Sequence, residues 1–245
     1  MEQGENSLAV LFVFYNEQEN VGAVVESMRN AAADAGLLRW KMILVDNGST
    51  DDTAKIMAEV SGDDTVSATV ARNIGLGGGI IEGLRHLGDA THVAICDGDG
   101  QIDPNDVIRL YRETDWSRYA MAKANRVQRE DGPMRALMSA LFNLAFRLLL
   151  SVNTDDTSGK PKVMTRKLVD RLDLSSQDFF IDMEIMSKVA AIGAPYVEYE
   201  TRFLRRHGGK SKVGLSAGLS VLKKTFGFRK TLAEYARRTA VDRNP

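Results

Sequence analysis

The chain has 245 residues, 44% of them hydrophobic, enough to bury one large α/β core, and its net charge is -1. A single cysteine, Cys96, excludes an internal disulfide and fits a reducing compartment. The charge is unevenly spread: residues 201–245 hold 12 Lys and Arg against two acids, a basic arm on an acidic body.

Residues 8–14, LAVLFVF, predict a buried strand that ends in the polar YNEQEN, followed by a helix over about 20–35. KMILVDNGSTDDTAKIMAEV repeats the design, with a strand at 41–45, a polar turn in which Ser49 or Thr50 caps, and a helix from about 51. TVSATVARN is a third strand candidate, IGLGGGIIEGLRHL a glycine loop leading into a helix, and THVAICDGDGQIDPNDVIRLYRE a fourth strand, loop and helix. Strands alternating with helices imply a doubly wound, mostly parallel sheet, which binds ligands beyond the carboxyl ends of its strands. Each polar cluster quoted stands at such an end.

Past residue 125 the pattern changes. MRALMSALFNLAFRLLL, residues 134–150, is helical and apolar nearly all round, but only 11 residues separate Arg135 from Arg147, short of the ~20 that cross a bilayer. It reads as a core helix or as a helix in the membrane interface with its arginines at headgroup level. The tail LSAGLSVLKKTFGFRKTLAEYARR mixes apolar residues with paired basic ones in the same manner. The N-terminus shows no signal-peptide pattern, so a cytoplasmic, peripherally membrane-associated protein is expected.

The stretch AICDGDGQIDP carries the chemistry. Two carboxylates two positions apart after a buried strand repel one another and call for a cation. An extended backbone would aim Asp97, Asp99 and Gln101 the same way, a set of hard oxygen ligands suited to Mg²⁺ or Mn²⁺ with diphosphate oxygens completing the shell. Gly98 and Gly100 would let a ligand approach the backbone. Asp46, at the end of the second strand, either caps the turn or accepts hydrogen bonds from a nucleobase or ribose. Gly75, Gly77, Gly78 and Gly79 do not match the dinucleotide fingerprint, whose sixth position here is Ile80.

YNEQEN, VDNGSTDDT, RNIGLGGG, DGDGQIDP, DTSG, FFIDMEI and RRHGGKSK together resemble inverting family-2 glycosyltransferases of the GT-A fold, nearest to the dolichyl-phosphate mannose synthase and polyprenyl-phosphate glycosyltransferase branch. The resemblance spans about residues 8–213, leaving 214–245 as a basic amphipathic tail. It implies a nucleotide site of Val13, Tyr15, Glu17, Asp46, Asp97, Gly98 and Asp99, and a metal held by Asp97, Asp99 and Gln101. It also implies an acceptor-phosphate site of Arg126, Arg135, Ser139, Arg206 and Lys212, the last two in a loop with Gly209 and Ser211. Asp182 matches the active-site aspartate, with Arg126 and Asp99 beside it in catalysis. The implied partners are a nucleoside-diphosphate sugar (GDP-mannose or a UDP-hexose), a polyprenyl phosphate and an anionic membrane surface. A soluble hydroxyl acceptor is the alternative. A nucleic-acid-binding module would explain the basic tail but not the aspartates, and no nucleic acid is expected. The chain departs from the family at Val13, Asn47, Leu76 and Lys160.

Overall fold

The computed structural model describes residues 6–128, 146, 147, 150, 152–154, 156–202, 204 and 215–241. In chain order the elements are β1 (Leu8–Phe14), α1 (Val21–Asp34), β2 (Trp40–Asp46), α2 (Thr53–Val60), β3 (Thr65–Thr69), α3 (Gly75–Leu84), β4 (His92–Asp97), α4 (Pro104–Glu113), β5 (Met121–Gln128), β6 (Lys162–Thr165), α5 (Arg166–Leu172), α6 (Ile181–Ala191), β7 (Tyr196–Arg202) and α7 (Leu215–Val241). They build one sheet in the order β3-β2-β1-β4-β6-β5-β7. All neighbouring pairs run parallel except those of β6, which is antiparallel to both β4 and β5.

The alternation in β1 distributes the core over two faces. Leu8, Val10, Phe12 and Phe14 meet α1, α2 and α4 on one side, while Ala9, Leu11 and Val13 meet α3, α5 and α6 on the other. Cys96 is a core residue of the first face, as expected, and burial raises the pKa of its thiol.

Helix α3 corrects the expected glycine loop. Gly75 to Gly79 are its first turn and a half, although each glycine inside a helix costs roughly 1 kcal/mol relative to alanine. Packing overrides propensity: a Cβ on Gly83 would lie 2.1 Å from Leu11 Cδ1, and one on Gly79 would lie 2.5 Å from Val13 Cγ1. The bare helix surface lies directly on β1. Its amino end meets the segment 175–178, where Gly78 N donates to Gln177 O at 2.9 Å. A Cβ on Gly77 would come within 2.0 Å of Ser176 O.

The expected cap of the second helix is also corrected. Helix α2 begins at Thr53, and its backbone N–H is taken by Asp51 Oδ1 at 3.0 Å, so neither Ser49 nor Thr50 caps it. These two residues instead bind Asn16 in the loop after β1.

Of the apolar stretch 134–150, only Phe146, Arg147 and Leu150 are described; Phe146 and Leu150 are buried in the core beside α5 and α6. In α7, Phe228, Leu232 and Tyr235 pack on the body, Phe228 edge-on to Phe180 at 5.0 Å, while Phe226 is exposed. Lys224 pairs with Asp178 and Arg238 with Asp173. No helix among the described residues is long and apolar enough to cross a membrane.

Candidate active site

The candidate site residues gather at the carboxyl edge of the parallel strands. Register pairs Phe14 with Asp46 and Val13 with Asp97, so the loops after β1, β2 and β4 open side by side where the strand order reverses direction. The first two loops are knitted together. Asn16 N donates to Ser49 Oγ at 2.9 Å, Thr50 N to Asn16 Oδ1 at 2.8 Å, and Glu17 N to Thr53 Oγ1 at 2.8 Å. Asn16 takes a left-handed backbone, φ 51°, to make the turn.

Tyr15 and Glu17 lie in this turn, Glu17 buried with Oε2 accepting from Asn20 Nδ2 at 2.6 Å. Asp46 is buried at the end of β2, and its Oδ1 accepts from Ser49 N at 3.1 Å. Asn47 uses both ends of its amide, Nδ2 on Gly75 O at 3.0 Å and Oδ1 on Ile74 N at 3.3 Å. An aspartate there could not donate, so this departure ties β2 to α3.

The aspartate string is not extended beyond Asp97. Residues 98–100 form a turn, Gly100 sits at φ 74°, and Asp99 Oδ1 accepts from Gln101 N at 3.2 Å. The expected alternation of side chains therefore fails: a turn, not a pleat, follows Asp97 and carries Asp99 and Gln101. Gly98 serves packing: a Cβ there would lie 2.5 Å from the Phe14 ring. Gln101 Nε2 donates to Leu204 O at 3.1 Å, which fixes the amide and leaves its oxygen as the donor atom for a cation. Two carboxylates and an amide oxygen fit a hard divalent ion that keeps ligand oxygens in its shell. Among the described residues no group of three or more His, Cys, Asp and Glu gathers into a richer metal site.

The cation that the aspartates call for is supplied by the chain itself. Lys160 Nζ lies 2.7 Å from Asp97 Oδ1 and 3.2 Å from Asp182 Oδ2, while Lys162 Nζ lies 2.6 Å from Asp182 Oδ1. Antiparallel β6 makes this possible, because Lys162 is paired with Ile95 and so begins its strand where β4 nears its end. Both lysines and Asp182 are buried. Burial opposes ionisation of Asp182, but the two ammonium groups outweigh it and hold the carboxyl below the usual carboxylate range. Burial likewise opposes the charge of Lys160, and Asp182 with Asp97 overcomes it, raising the pKa. For Lys162 burial wins and pushes the value down to about 8, against the pull of Asp182 and with the neighbouring Lys160 adding to the fall.

Arg126, at the end of β5, makes a two-point pair with Asp156, Nε to Oδ2 at 2.6 Å and Nη2 to Oδ1 at 2.7 Å. Burial opposes its charge, but Asp156 overcomes this with Asp97 and Asp182 adding to the pull, which raises the pKa and places Arg126 in the same electrostatic cluster. The DTSG turn is thus a brace: Asp156 holds the arginine, and Gly159 lets the turn approach β5, where a Cβ would be 2.0 Å from Ala124 O. Lys123, cross-strand from Lys162, is buried with its ammonium on Thr154 at 3.2 Å and Glu198 at 3.4 Å.

The structure therefore brings Val13, Asp46, Asp97, Gly98, Asp99 and Gln101 to one strand edge, with Tyr15 and Glu17 in the adjoining turn, and Asp97, Asp182 and Arg126 into one charge cluster. Arg135, Ser139, Arg206, Gly209, Ser211 and Lys212 lie outside the described residues. Sequence reasoning singled out Lys160 as a departure from the family but missed its carboxylate partners, and it missed Asp156 as the partner of Arg126 and Lys162 altogether. The unusual Lys160 after DTSG was their only signal.

The family model for Glycosyl transferase family 2 matches residues 9–173, two thirds of the chain. The chain belongs to glycosyl transferase family 2. Among relatives of this family member, undecaprenyl-phosphate 4-deoxy-4-formamido-L-arabinose transferase of Klebsiella pneumoniae (strain 342) is 29% identical over 140 residues, covering 56% of this chain and 42% of the relative. The enzyme of the same name from Pectobacterium carotovorum subsp. carotovorum (strain PC1) is 30% identical over 145 residues, 58% of this chain and 43% of the relative. The chain spans about half the length of these curated relatives. A crystal structure of glucosyl-3-phosphoglycerate synthase from Mycobacterium tuberculosis, in complex with Mn²⁺, uridine diphosphate and phosphoglyceric acid, superposes with a TM-score of 0.69 at 19% identity, covering 91% of this chain and 78% of that one. The shared fold is the GT-A sheet.

Proposed function

We propose that this family 2 protein transfers a hexosyl group from a nucleoside-diphosphate sugar to a polyprenyl phosphate, with inversion and with a divalent metal ion, at a cytoplasmic membrane face. The observation that carries the acceptor class is Asp182. A carboxylate paired with two buried ammonium groups is a poor base, whereas a hydroxyl acceptor must lose a proton as it attacks. A phosphate acceptor is already anionic near neutral pH and needs only to be held.

The chain's residues divide the work accordingly. Asp46 and the loop carrying Tyr15 and Glu17 line the nucleotide end, and Asp99 with Gln101 faces the diphosphate. A Mg²⁺ or Mn²⁺ ion bound there would neutralise the departing diphosphate. Arg126, aimed by Asp156, presents a fixed guanidinium to the acceptor phosphate together with Arg135, Ser139, Arg206 and Lys212. Asp182 and its lysines keep the ground between donor and acceptor in a set charge state. The name of the two relatives described above, undecaprenyl-phosphate 4-deoxy-4-formamido-L-arabinose transferase, supports the acceptor, and the Mn²⁺ and uridine diphosphate held by the mycobacterial enzyme support the donor and metal. The basic tail and exposed Arg147 supply attachment to an anionic surface, while Phe146 and Leu150 of the 134–150 stretch belong to the core.

The test is transfer in detergent from UDP- and GDP-sugars to a short-chain prenyl phosphate, with Mn²⁺, with Mg²⁺ and with excess chelator. A prenyl-phosphate-linked sugar that forms only with metal, and not with Asp99→Asn, is the expected product. Transfer to 3-phosphoglycerate or another soluble hydroxyl, with none to prenyl phosphate, overturns the acceptor; full turnover in chelator overturns the metal.

A further inference from the structure

Lys160 stands where an aromatic residue often follows the same motif in the family, and its surroundings give it a role of its own. Its side chain is 3% exposed, so its charge is balanced within the protein. Asp182 already has Lys162 on Oδ1. The charge left for Lys160 to balance is that of Asp97, whose Oδ1 it meets at 2.7 Å, closer than its 3.2 Å approach to Asp182. A divalent ion bound through that same carboxylate oxygen would sit in contact with the ammonium, and the two positive charges would repel strongly at such a distance.

We propose that Lys160 is a positioning residue acting as a resident cation of the donor site, which neutralises Asp97 in place of a metal ion and leaves the metal to Asp99 and Gln101. The inference rests on the reading of this edge as a metal-dependent donor site. It also gives Lys160 a mechanical task. One ammonium joins the end of β4 to the start of α6, so Asp97 and Asp182 keep a fixed separation whether or not the metal is present. Three consequences follow. Asp97 contributes little to metal affinity in the natural chain, the metal is held more weakly than the aspartate string suggests, and removing the ammonium returns Asp97 to the pool of ligands.

Electron paramagnetic resonance titration of Mn²⁺ in the presence of UDP reads all three without turnover. Asp97→Asn is expected to leave the Mn²⁺ dissociation constant within about threefold of the unsubstituted protein, and Asp99→Asn to weaken it by about tenfold or more. Lys160→Met, close to isosteric and uncharged, is expected to tighten Mn²⁺ by about tenfold, because a like charge in contact has been withdrawn. The double variant Lys160→Met with Asp97→Asn should cancel that gain, which a merely structural lysine would not produce at all. Weakening by about tenfold in Asp97→Asn alone overturns the proposal, and that comparison decides it even if Lys160→Met fails to fold. Unchanged or weaker Mn²⁺ binding in folded Lys160→Met overturns it too, as does the absence of Mn²⁺ binding in every variant. Prenyl phosphate transfer measured on the same preparations reports separately on the proposed reaction.

Discussion

Lys162 donates to Asp182 Oδ1 at 2.6 Å across a junction that solvent does not reach. Breaking a buried pair from one side leaves an uncompensated charge, which typically costs about 3–5 kcal/mol. Asp182→Asn should therefore lower unfolding stability by roughly 3 kcal/mol, read from the urea midpoint, since Lys160 retains Asp97 while Lys162 retains no carboxylate. Assayed while folded, the variant should still transfer sugar to a prenyl phosphate, with a nearly flat pH profile above the second phosphate pKa. Wild-type stability combined with complete loss of transfer would reassign Asp182 as a proton acceptor.

The same lysine makes stability depend on pH in a direction opposite to that of a surface ion pair. Folding lowers the Lys162 pKa to about 8, so between that value and the ordinary lysine range the unfolded chain binds the extra proton. Stability contributed by this group consequently rises with pH across that window, and below it the buried charge is a constant cost. Comparing wild type with Lys162→Met at pH 7.5 and 9.5, the difference should move in favour of wild type by ~1–2 kcal/mol. A difference that stays level, or that moves the other way, rejects the depressed value.

Gly77→Ala tests the contact between α3 and the segment that leads to Asp182. The added methyl would meet Ser176 O at 2.0 Å and Ile181 Cβ at 2.9 Å, both parts of that segment or of the first turn of α6. Overpacking of this kind costs about 1–3 kcal/mol, against which the gain in helix propensity is smaller. The expected result is a lower melting temperature and a fall in kcat/KM. A more stable protein with unchanged kinetics would show that the contact yields freely.

Arg126 and Arg135 separate the two acceptor classes. Arg126→Ala also removes the two-point contact to Asp156, so Arg126→Lys is the companion variant: it keeps the charge and loses the two-point geometry. For a phosphate acceptor, both substitutions and Arg135→Ala should raise the KM for prenyl phosphate while leaving UDP binding unchanged. Each charge-assisted hydrogen bond lost is worth roughly 1.5–3 kcal/mol, about ten- to a hundredfold. Unaltered acceptor kinetics in detergent would leave Arg135 a headgroup anchor only.

The parallel half of the sheet was legible because β1, β2 and β4 carry apolar runs that stop at Tyr15, Asp46 and Asp97, and polarity at a strand's end points to a candidate binding edge. The family motifs located Asp182, although nothing local in FFIDMEI reveals that its carboxylate is closed to solvent. Lys160 stood out as a departure, but its pairing and the whole of Lys162 escaped, because a lysine is read as solvated unless a partner is known, and theirs are 63 and 20 residues distant in the chain. The short strand KVMT pairs with β4 far upstream, a relationship that periodicity cannot carry. The helix at Gly75 was misjudged for the opposite reason: glycine propensity is visible locally, whereas the close approach to Leu11, Val13 and Ser176 that overrides it is not.

The reversed direction of β6 has a consequence for how such a site can be altered. Strands that run with the sheet deliver their final residues to the binding edge, and changing those residues disturbs the loops that follow into α1, α2 and α4. β6 delivers its first residues there, after the braced turn at Gly159, so Lys160, Pro161 and Lys162 reach the edge by a route separate from the loops after β1 and β2 and meet β4 through Asp97 and Ile95. Exchanging either lysine resets the charge at this edge without touching the loops after β1 and β2, and the carboxylate it leaves, Asp97 or Asp182, must then find another partner.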